Sequence, residues 1–387
     1  MIVMKFGGSS VADAACMRQV AMLVRAAPQP PLIVLSAMGK TTNALFAAAR
    51  AAERGELPEA LEIRREILAA HRCAADELFG SAVPESLDTE FTVLSGELEL
   101  LLRGVALLRE LSPRSMDAIA SLGERLSTRL FAAFVDAPWV DARTVLRTDV
   151  RFGEAQPDTA AIRTLSARTL APLLERGPVV TQGYIGATED GLTTTLGRGG
   201  SDYSAALFGA ALGASEVQIW TDVEGVLTCD PRVVPEALPI LDLSFAEAAE
   251  LAAFGAKVLH PATIQPAVEA RIPVTVRHTQ KPLGRFTTIT GEVHTGRPIT
   301  ALASRGPITV LTVSSTRMLA QSGFLARLFE VFGRFGVSVD LVATAEVSVS
   351  CTVEADADLG PLLKELSAFA TVEVATGRAI VAVVGER

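Results

Sequence analysis

Polarity along the chain switches between short apolar runs and longer amphipathic stretches. Ile2–Phe6, Leu32–Ser36, Val179–Tyr184, Val217–Thr221 and Pro273–Val276 are runs of strand length, rich in Val and Ile and without strict alternation. Such runs predict strands buried on both faces, as in a mainly parallel sheet covered by helices. Between them, Val11–Ala27, Ser201–Leu212 and Phe245–Phe254 carry apolar residues at helical spacing; Val11, Ala14, Ala15, Val20 and Val24 make the stripe in the first. Strand–helix alternation of this kind predicts an α/β sandwich.

Two stretches depart from that rhythm. Asn43 to Phe134 is dominated by Ala, Leu, Glu and Arg, which predicts an excursion of several helices. Around Gly284–Pro298 the pattern dissolves into Thr, Gly and Pro, a boundary that divides the chain into 1–295 and 296–387. Beyond it, Ile308–Val313 reads as a strand and Gly323–Phe335 as a helix stopped by Gly336. Val337–Thr344 and Val347–Val353 read as strands, Leu359–Phe369 as a helix and Val372–Val374 as a strand. This is βαββαβ, a four-stranded sheet with two helices on one face. Ala379–Val384 reads as one further strand with no sheet to join, which leaves an unpaired edge.

Composition narrows the class. The 387 residues carry a net charge of −9, which gives no electrostatic footprint for nucleic acid. No apolar run approaches the roughly 18 residues of a membrane span, and MIVMKF enters a strand without a basic leader. Cys16, Cys73, Cys229 and Cys351 are scattered, a usage that fits a reducing cytoplasm.

Five segments carry candidate chemistry. In KFGGSS, Gly7 and Gly8 at a strand-to-helix turn let backbone N–H groups approach a phosphate, and Lys5 reaches a phosphoryl oxygen. The alternative is a tight turn with Ser9 or Ser10 as helix cap. LSAMGKTTNAL invites a Walker reading but fails it, since that pattern needs Gly at 34 and Val34 stands there; Ser36, Gly39 and Thr42 can still line a pocket. In TTTLGRGGSDYSAAL, Arg198 sits among Gly197, Gly199 and Gly200 before Ser201 and Asp202, a nest suited to a carboxylate or phosphate. WTDVEGVLTCDPRVVP puts Thr221 and Asp222 at a strand end and Asp230 and Arg232 in the loop, where open α/β sheets bind ligands. In FGAKVLHPAT, Lys257 points back over the sheet edge, and His260 receives no catalytic role. Glu247 and Glu250 read as a solvated helix face.

KFGGSSV, LSAMGKTTNAL, GERLST, QGYIG, TTTLGRGGSDYSAAL, WTDVEGV, DPRVV and FGAKVLHPAT occur here in the order seen in aspartate kinases. The chain resembles that family over nearly its whole length, most closely the lysine-sensitive type. The resemblance implies an amino-acid-kinase (carbamate-kinase-like) α/β/α sandwich followed by ACT domains, which sense amino acids. It implies transfer of a phosphoryl group from ATP, with Mg²⁺ bridging the phosphates, to the side chain of L-aspartate. That step opens lysine, threonine and methionine synthesis. Lys5, Gly7, Gly8 and Ser9 match the phosphate-cradling start, and Asp202 a residue at the reacting centre. Thr221, Asp222, Leu227, Arg232, Lys257 and Val258 match ATP-binding positions, with Leu227 replacing a frequent Tyr. Ser36, Thr42, Glu124, Arg198, Gly200 and Ser201 match aspartate-binding positions. Met318, Gln321, Phe324, Leu325, Val339, Asp340, Ala345 and Glu346 match lysine-binding positions, Gln321 and Ala345 replacing serines. For Phe324 and Leu325 plain helix core is an equal alternative. The family usually continues into a second ACT unit, of which Ala379–Val384 would be the first strand. A homodimer through the ACT region, or a module of a longer fused polypeptide, follows from the same resemblance. Two rivals stand beside it: another amino-acid kinase such as a glutamate 5-kinase, and a non-catalytic sensor that keeps the kinase shell.

Overall fold

The computed structural model describes residues 1–254, 261–291, 298–319 and 322–385. Fourteen strands are present among them: β1 Ile2–Phe6, β2 Pro31–Leu35, β3 Trp139–Val140, β4 Val179–Gln182, β5 Ile185–Ala187, β6 Thr193–Thr195, β7 Glu216–Thr221, β8 Asp242–Ser244, β9 Val274–His278, β10 Thr287–Thr290, β11 Ala301–Ser314, β12 Val342–Thr344, β13 Ser348–Glu354 and β14 Thr371–Val384. Eight form the main sheet in the order β3-β4-β2-β1-β7-β9-β10-β8, and β5 and β6 make a separate hairpin. Every neighbour pair of the main sheet is parallel except β9–β10.

The helices are α1 Ala14–Arg25, α2 Thr41–Glu53, α3 Leu57–Phe79, α4 Glu85–Leu108, α5 Pro113–Val135, α6 Thr159–Thr169, α7 Ala171–Leu174, α8 Gly200–Leu212, α9 Phe245–Ala253, α10 Pro261–Glu269, α11 Phe324–Arg334 and α12 Gly360–Leu366. The continuous apolar strands are explained by two cores. On β1, Val3 enters one core while Ile2, Met4 and Phe6 enter the other. On β2, Leu32 and Val34 take the first side and Ile33 and Leu35 the second. The period-2 alternation sends both sets into apolar layers, so no polar face is needed. The first core packs under α8, and the second under α1 and the four helices α2–α5 of the predicted excursion. No described helix is long and apolar enough to cross a membrane.

The second sheet runs β12-β13-β11-β14, with all pairs antiparallel. With α11 and α12 it gives the expected βαββαβ unit, around a small core of Leu311, Val313, Leu328, Phe332, Val349 and Leu366. The segment Val337–Thr344 is strand only at Val342–Thr344. The lone last strand is corrected. Ala379–Val384 is the second half of β14, and it pairs with Ala301–Arg305 in the first half of β11. Its backbone groups therefore have a ladder, and the predicted orphan edge disappears. The two 14-residue strands span two cores. Ala301, Ala303 and Val384 enter the main core, while Leu311 and Val313 enter the small one.

Glu247 also departs from expectation. Its carboxylate closes a capping box with Ser244 and accepts from Thr300 Oγ1 at 2.6 Å, so it is buried rather than solvated. Glu250 is exposed, as expected.

Candidate active site

The carboxyl ends of β1, β2, β4 and β7 lie along one edge of the main sheet, and the predicted residues gather there. Lys5 follows Val3 on the face covered by α8, so its side chain rises toward that helix. Asp202 sits in the first turn of α8, and Lys5 Nζ meets its Oδ1 at 2.6 Å. Both side chains are mostly buried, which strengthens the pair relative to a surface one.

The glycines are required by close approach. A Cβ on Gly8 would stand 2.9 Å from Gly39 O and 3.0 Å from Ala37 O. The Gly8 carbonyl accepts from Gly39 N, which ties the KFGG turn to the loop after β2. Ser9 is exposed beside it. Neither Ser9 nor Ser10 caps a helix. Asp13 caps α1, accepting from Cys16 N, and Ser10 Oγ bonds Thr279 Oγ1.

Across the edge, Ser36 Oγ donates to Ser201 Oγ at 3.0 Å, joining the end of β2 to α8. Gly183, after β4, leaves room for Ser201; a Cβ there would stand 2.7 Å from Ser201 Cβ. The turn before α8 has Gly197 and Gly199 in left-handed conformation, φ 75° and 71°. It presents Arg198 exposed, with no ion pair among the described residues. Gly200 packs on the Tyr184 ring, and Thr42 is half-buried in the first turn of α2.

Glu124 comes up from α5 and is 3% exposed. One oxygen accepts from Ala37 N at 3.2 Å; the other has no hydrogen-bond partner among the described residues. Burial lifts its carboxyl to about 8. A buried carboxylate with a vacant oxygen suits a cationic ligand group, which would restore the charged form.

Sequence reasoning missed two neighbours. Asp117 lies two turns before Glu124 on the same face of α5 and is 1% exposed. It accepts from Gly153 N and Thr195 N, each at 2.9 Å, and from Thr195 Oγ1 at 2.7 Å. Thr195 leads directly into the Arg198 turn, and Gly153 lies against Gly197. Tyr184 holds φ 69°, unusual for a side chain of its size, and its hydroxyl meets Thr195. Burial pushes that phenol up to about 12. The sequence signal available was an Asp seven residues before the Glu in one amphipathic helix.

A second cluster surrounds the end of β7. Thr221, Asp222, Leu227 and Arg232 line one cavity of about 500 Å³. Arg232 is held by Asp230 across a two-residue turn, with Nη2–Oδ2 at 2.6 Å. The far wall was not foreseen. It is Leu302, Ala303 and Ser304 of β11, and Leu302 N donates to Thr228 O at 2.8 Å. Gly7 N donates to Trp220 O, so the KFGGSS turn and this cavity adjoin. Lys257, Val258 and His260 lie outside the described residues.

The lysine-site positions are spread around the second sheet. Met318, Phe324 and Val339 pack against its core, and Phe324 meets Phe369 edge-on. Leu325, Ala345 and Glu346 are exposed. Asp340 pairs with Arg305 at 3.1 Å, and no hydrogen bond or ion pair joins it to Glu346. Gln321 lies outside the described residues.

A model described as "Amino acid kinase family" matches residues 1–278. The chain is 44% identical to lysine-sensitive aspartokinase 3 of Escherichia coli K12, covering all of this chain and 87% of that protein. It is 41% identical to the chloroplastic aspartokinase 1 of Arabidopsis thaliana, over 99% of this chain and 70% of that one. The solved structure of E. coli aspartokinase III with lysine and aspartate in the T-state matches with a TM-score of 0.85, over 99% of this chain and 86% of that one. The same enzyme with aspartate and ADP in the R-state matches with a TM-score of 0.84. The sheet edge that gathers Lys5, Asp202 and Glu124 thus stands in a chain that belongs to the aspartokinases.

Proposed function

We propose that this chain transfers the γ-phosphoryl group of ATP to the side-chain carboxylate of L-aspartate, giving 4-phospho-L-aspartate and ADP. The observation that carries the reading is the site's charge layout. A buried carboxylate, Glu124, accepts from Ala37 N next to the Ser36–Ser201 bond, the exposed Arg198 turn leads into the helix that carries Ser201, and the Lys5–Asp202 pair stands on the first turn of that helix. Glu124 takes the α-ammonium, and Arg198 holds the α-carboxylate as a bidentate partner. The substrate is fixed by both charged ends, which leaves its side-chain carboxylate aimed at the cradle. That carboxylate is already ionised at neutral pH, so no general base is needed. Catalysis then reduces to positioning and charge neutralisation. Lys5 offsets charge on the transferring group, and Asp202 keeps its ammonium aimed. Gly7, Gly8 and Ser9 receive the phosphates, while Thr221, Asp222, Leu227, Arg232, Lys257 and Val258 hold the rest of the nucleotide.

Among the described residues no group of three or more His, Cys, Asp or Glu side chains forms a metal cage. Mg²⁺, which keeps several waters, would be held chiefly by the ATP phosphates. The ion would shield phosphate charge.

Residues 1–295 act as the catalytic unit and 296–387 as the regulatory one. L-Lysine is the effector, at Met318, Gln321, Phe324, Leu325, Val339, Asp340, Ala345 and Glu346. A homodimer in the cytoplasm is the working assembly. The test is aspartate-dependent ADP release from Mg-ATP, with hydroxylamine trapping the acyl phosphate, run with and without lysine. Hydroxamate formed with aspartate and not with glutamate supports the assignment. A folded sample that binds lysine without turnover overturns it in favour of a sensor.

A further inference from the structure

Helix α8 is apolar on every side after its first turn, with no charged residue from Tyr203 to Leu212. A helix of that kind belongs in a core, covered all round. Its inner face is covered. Ala205 and Phe208 are fully buried in the first core, and a Cβ on Gly209 would stand 2.6 Å from Val217 of β7. Tyr203, Leu207, Ala210 and Ala211 share the opposite face, at helical spacing. On that side α6 and α10 each pack against α8, and a cleft of about 190 Å³ stays open between them. At the roughly 30 Å³ that a water takes up, it has room for about six waters or one small organic molecule.

The cleft has an apolar floor and charged walls. Ile162, Leu207, Ala210 and Ala211 make the floor, with Arg163 of α6 on one side and Glu269, the last residue of α10, on the other. Arg163 and Glu269 are exposed, and among the described residues no ion pair joins them. Glu269 Oε1 accepts from Gln265 Nε2 at 3.0 Å, which fixes the carboxylate. A carboxylate in the last turn is opposed by the helix dipole, which favours a cation there. Burial first, and the Glu269 carboxylate second, hold the Tyr203 phenol above its usual range, so that carboxylate stands on the α8 side of its helix.

A ligand that suits all three parts carries an anionic group, a cationic group and a short apolar piece. A guanidinium takes a carboxylate as a bidentate partner, and a carboxylate takes an ammonium. The floor gains from an aliphatic group that displaces its water. A purely apolar molecule leaves both charges unused, and a simple ion leaves the floor wet. We propose that the cleft between α6, α8 and α10 binds a small α-amino acid with a short aliphatic side chain, its carboxylate on Arg163, its ammonium on Glu269 and its side chain on α8. The cleft lies along the outer face of the helix whose first turn carries Ser201 and Asp202, away from the sheet edge where those two gather, and its occupation does not depend on the reaction proposed there.

Ligand-observed NMR titration of the full chain tests it, with L-valine as the probe and saturating L-aspartate and L-lysine present to occupy the other two proposed sites. Valine should bind with a Kd on the order of 1 mM, and glycine about tenfold more weakly. Isovalerate lacks the ammonium and isobutylamine lacks the carboxylate, and neither should displace valine. Arg163→Ala and Glu269→Gln should each raise the valine Kd about tenfold or more. Both positions are exposed, so the melting temperature of the free variants should equal that of wild type. No valine signal at about 10 mM overturns the proposal. Equal affinity for glycine, displacement by either singly charged analogue, or unchanged binding in both variants overturns it as well.

Discussion

The role proposed for Glu124 couples substrate recognition to a stability cost. Its carboxyl is raised to about 8 by burial, so near neutral pH the empty site holds it mostly protonated. An ammonium ligand needs the carboxylate. The kcat/KM for aspartate should therefore rise with pH and level off above about 8, approaching tenfold per unit on the acid side. A pH profile under limiting aspartate checks this. The stability sign is opposite. The folded state binds more protons than the unfolded one between about 4.5 and 8, so Glu124 lowers stability as pH rises through that window. Glu124→Gln should raise the melting temperature at pH 8.5 while raising the aspartate KM at least tenfold. Lys5→Ala should cut kcat by about 10²–10³, the usual loss for a group that meets developing charge. Turnover near wild type would remove the phosphate role of the KFGGSS turn. Asp117 holds Thr195, which leads into the Arg198 turn proposed to bind the substrate. Asp117→Ala leaves the backbone N–H groups of Gly153 and Thr195 without their acceptor, at a cost of about 1–3 kcal/mol. The expected reading is an aspartate KM up about tenfold with the ATP KM unchanged, and an equal rise in both would count against it.

At the scale of elements, β11 joins the two sheets. Its first half walls the cavity where we place the nucleotide, and its second half lies in the small core. Leu302→Asp places a charge beside the nucleotide without touching the Glu124 edge. Its ATP KM should rise several-fold at unchanged aspartate KM, read by initial rates with each substrate varied in turn. The βαββαβ order was legible from apolar runs separated by Gly336 and by the Asp356–Gly360 turn region. The pairing of Ala379–Val384 was not. A strand's partner is a long-range choice, and Ala301–Arg305 has a polar interruption that hides its half of the ladder. Short strands such as Trp139–Val140 and Asp242–Ser244 were also invisible, because two or three residues carry no period.

On the scale of the whole molecule, regulation is a question of what lysine must displace. Asp340 is paired with Arg305, on the same strand that walls the proposed nucleotide cavity. A cationic effector bound at the proposed site would compete for that carboxylate. Asp340→Asn should therefore weaken lysine inhibition about tenfold or more, with turnover in the absence of lysine retained, as measured by lysine titration of initial rates. A lysine response equal to wild type would place the effector elsewhere.

The sequence by itself determined the layers and the edge chemistry. Buried parallel strands need unbroken apolar runs, helices need a stripe, and phosphate turns need glycine, and each of these is local. KFGGSS, the Arg198 nest and the helical excursion from Asn43 to Phe134 were therefore readable in one dimension. Tertiary structure decided which groups face one another. It set Lys5 against Asp202 across nearly 200 residues, buried Glu247 in a capping box, placed Asp117 under the Arg198 turn and folded Ala379–Val384 onto Ala301–Arg305. Those outcomes depend on burial and on contacts between distant segments, and hydrophobic periodicity records only which face of an element is covered.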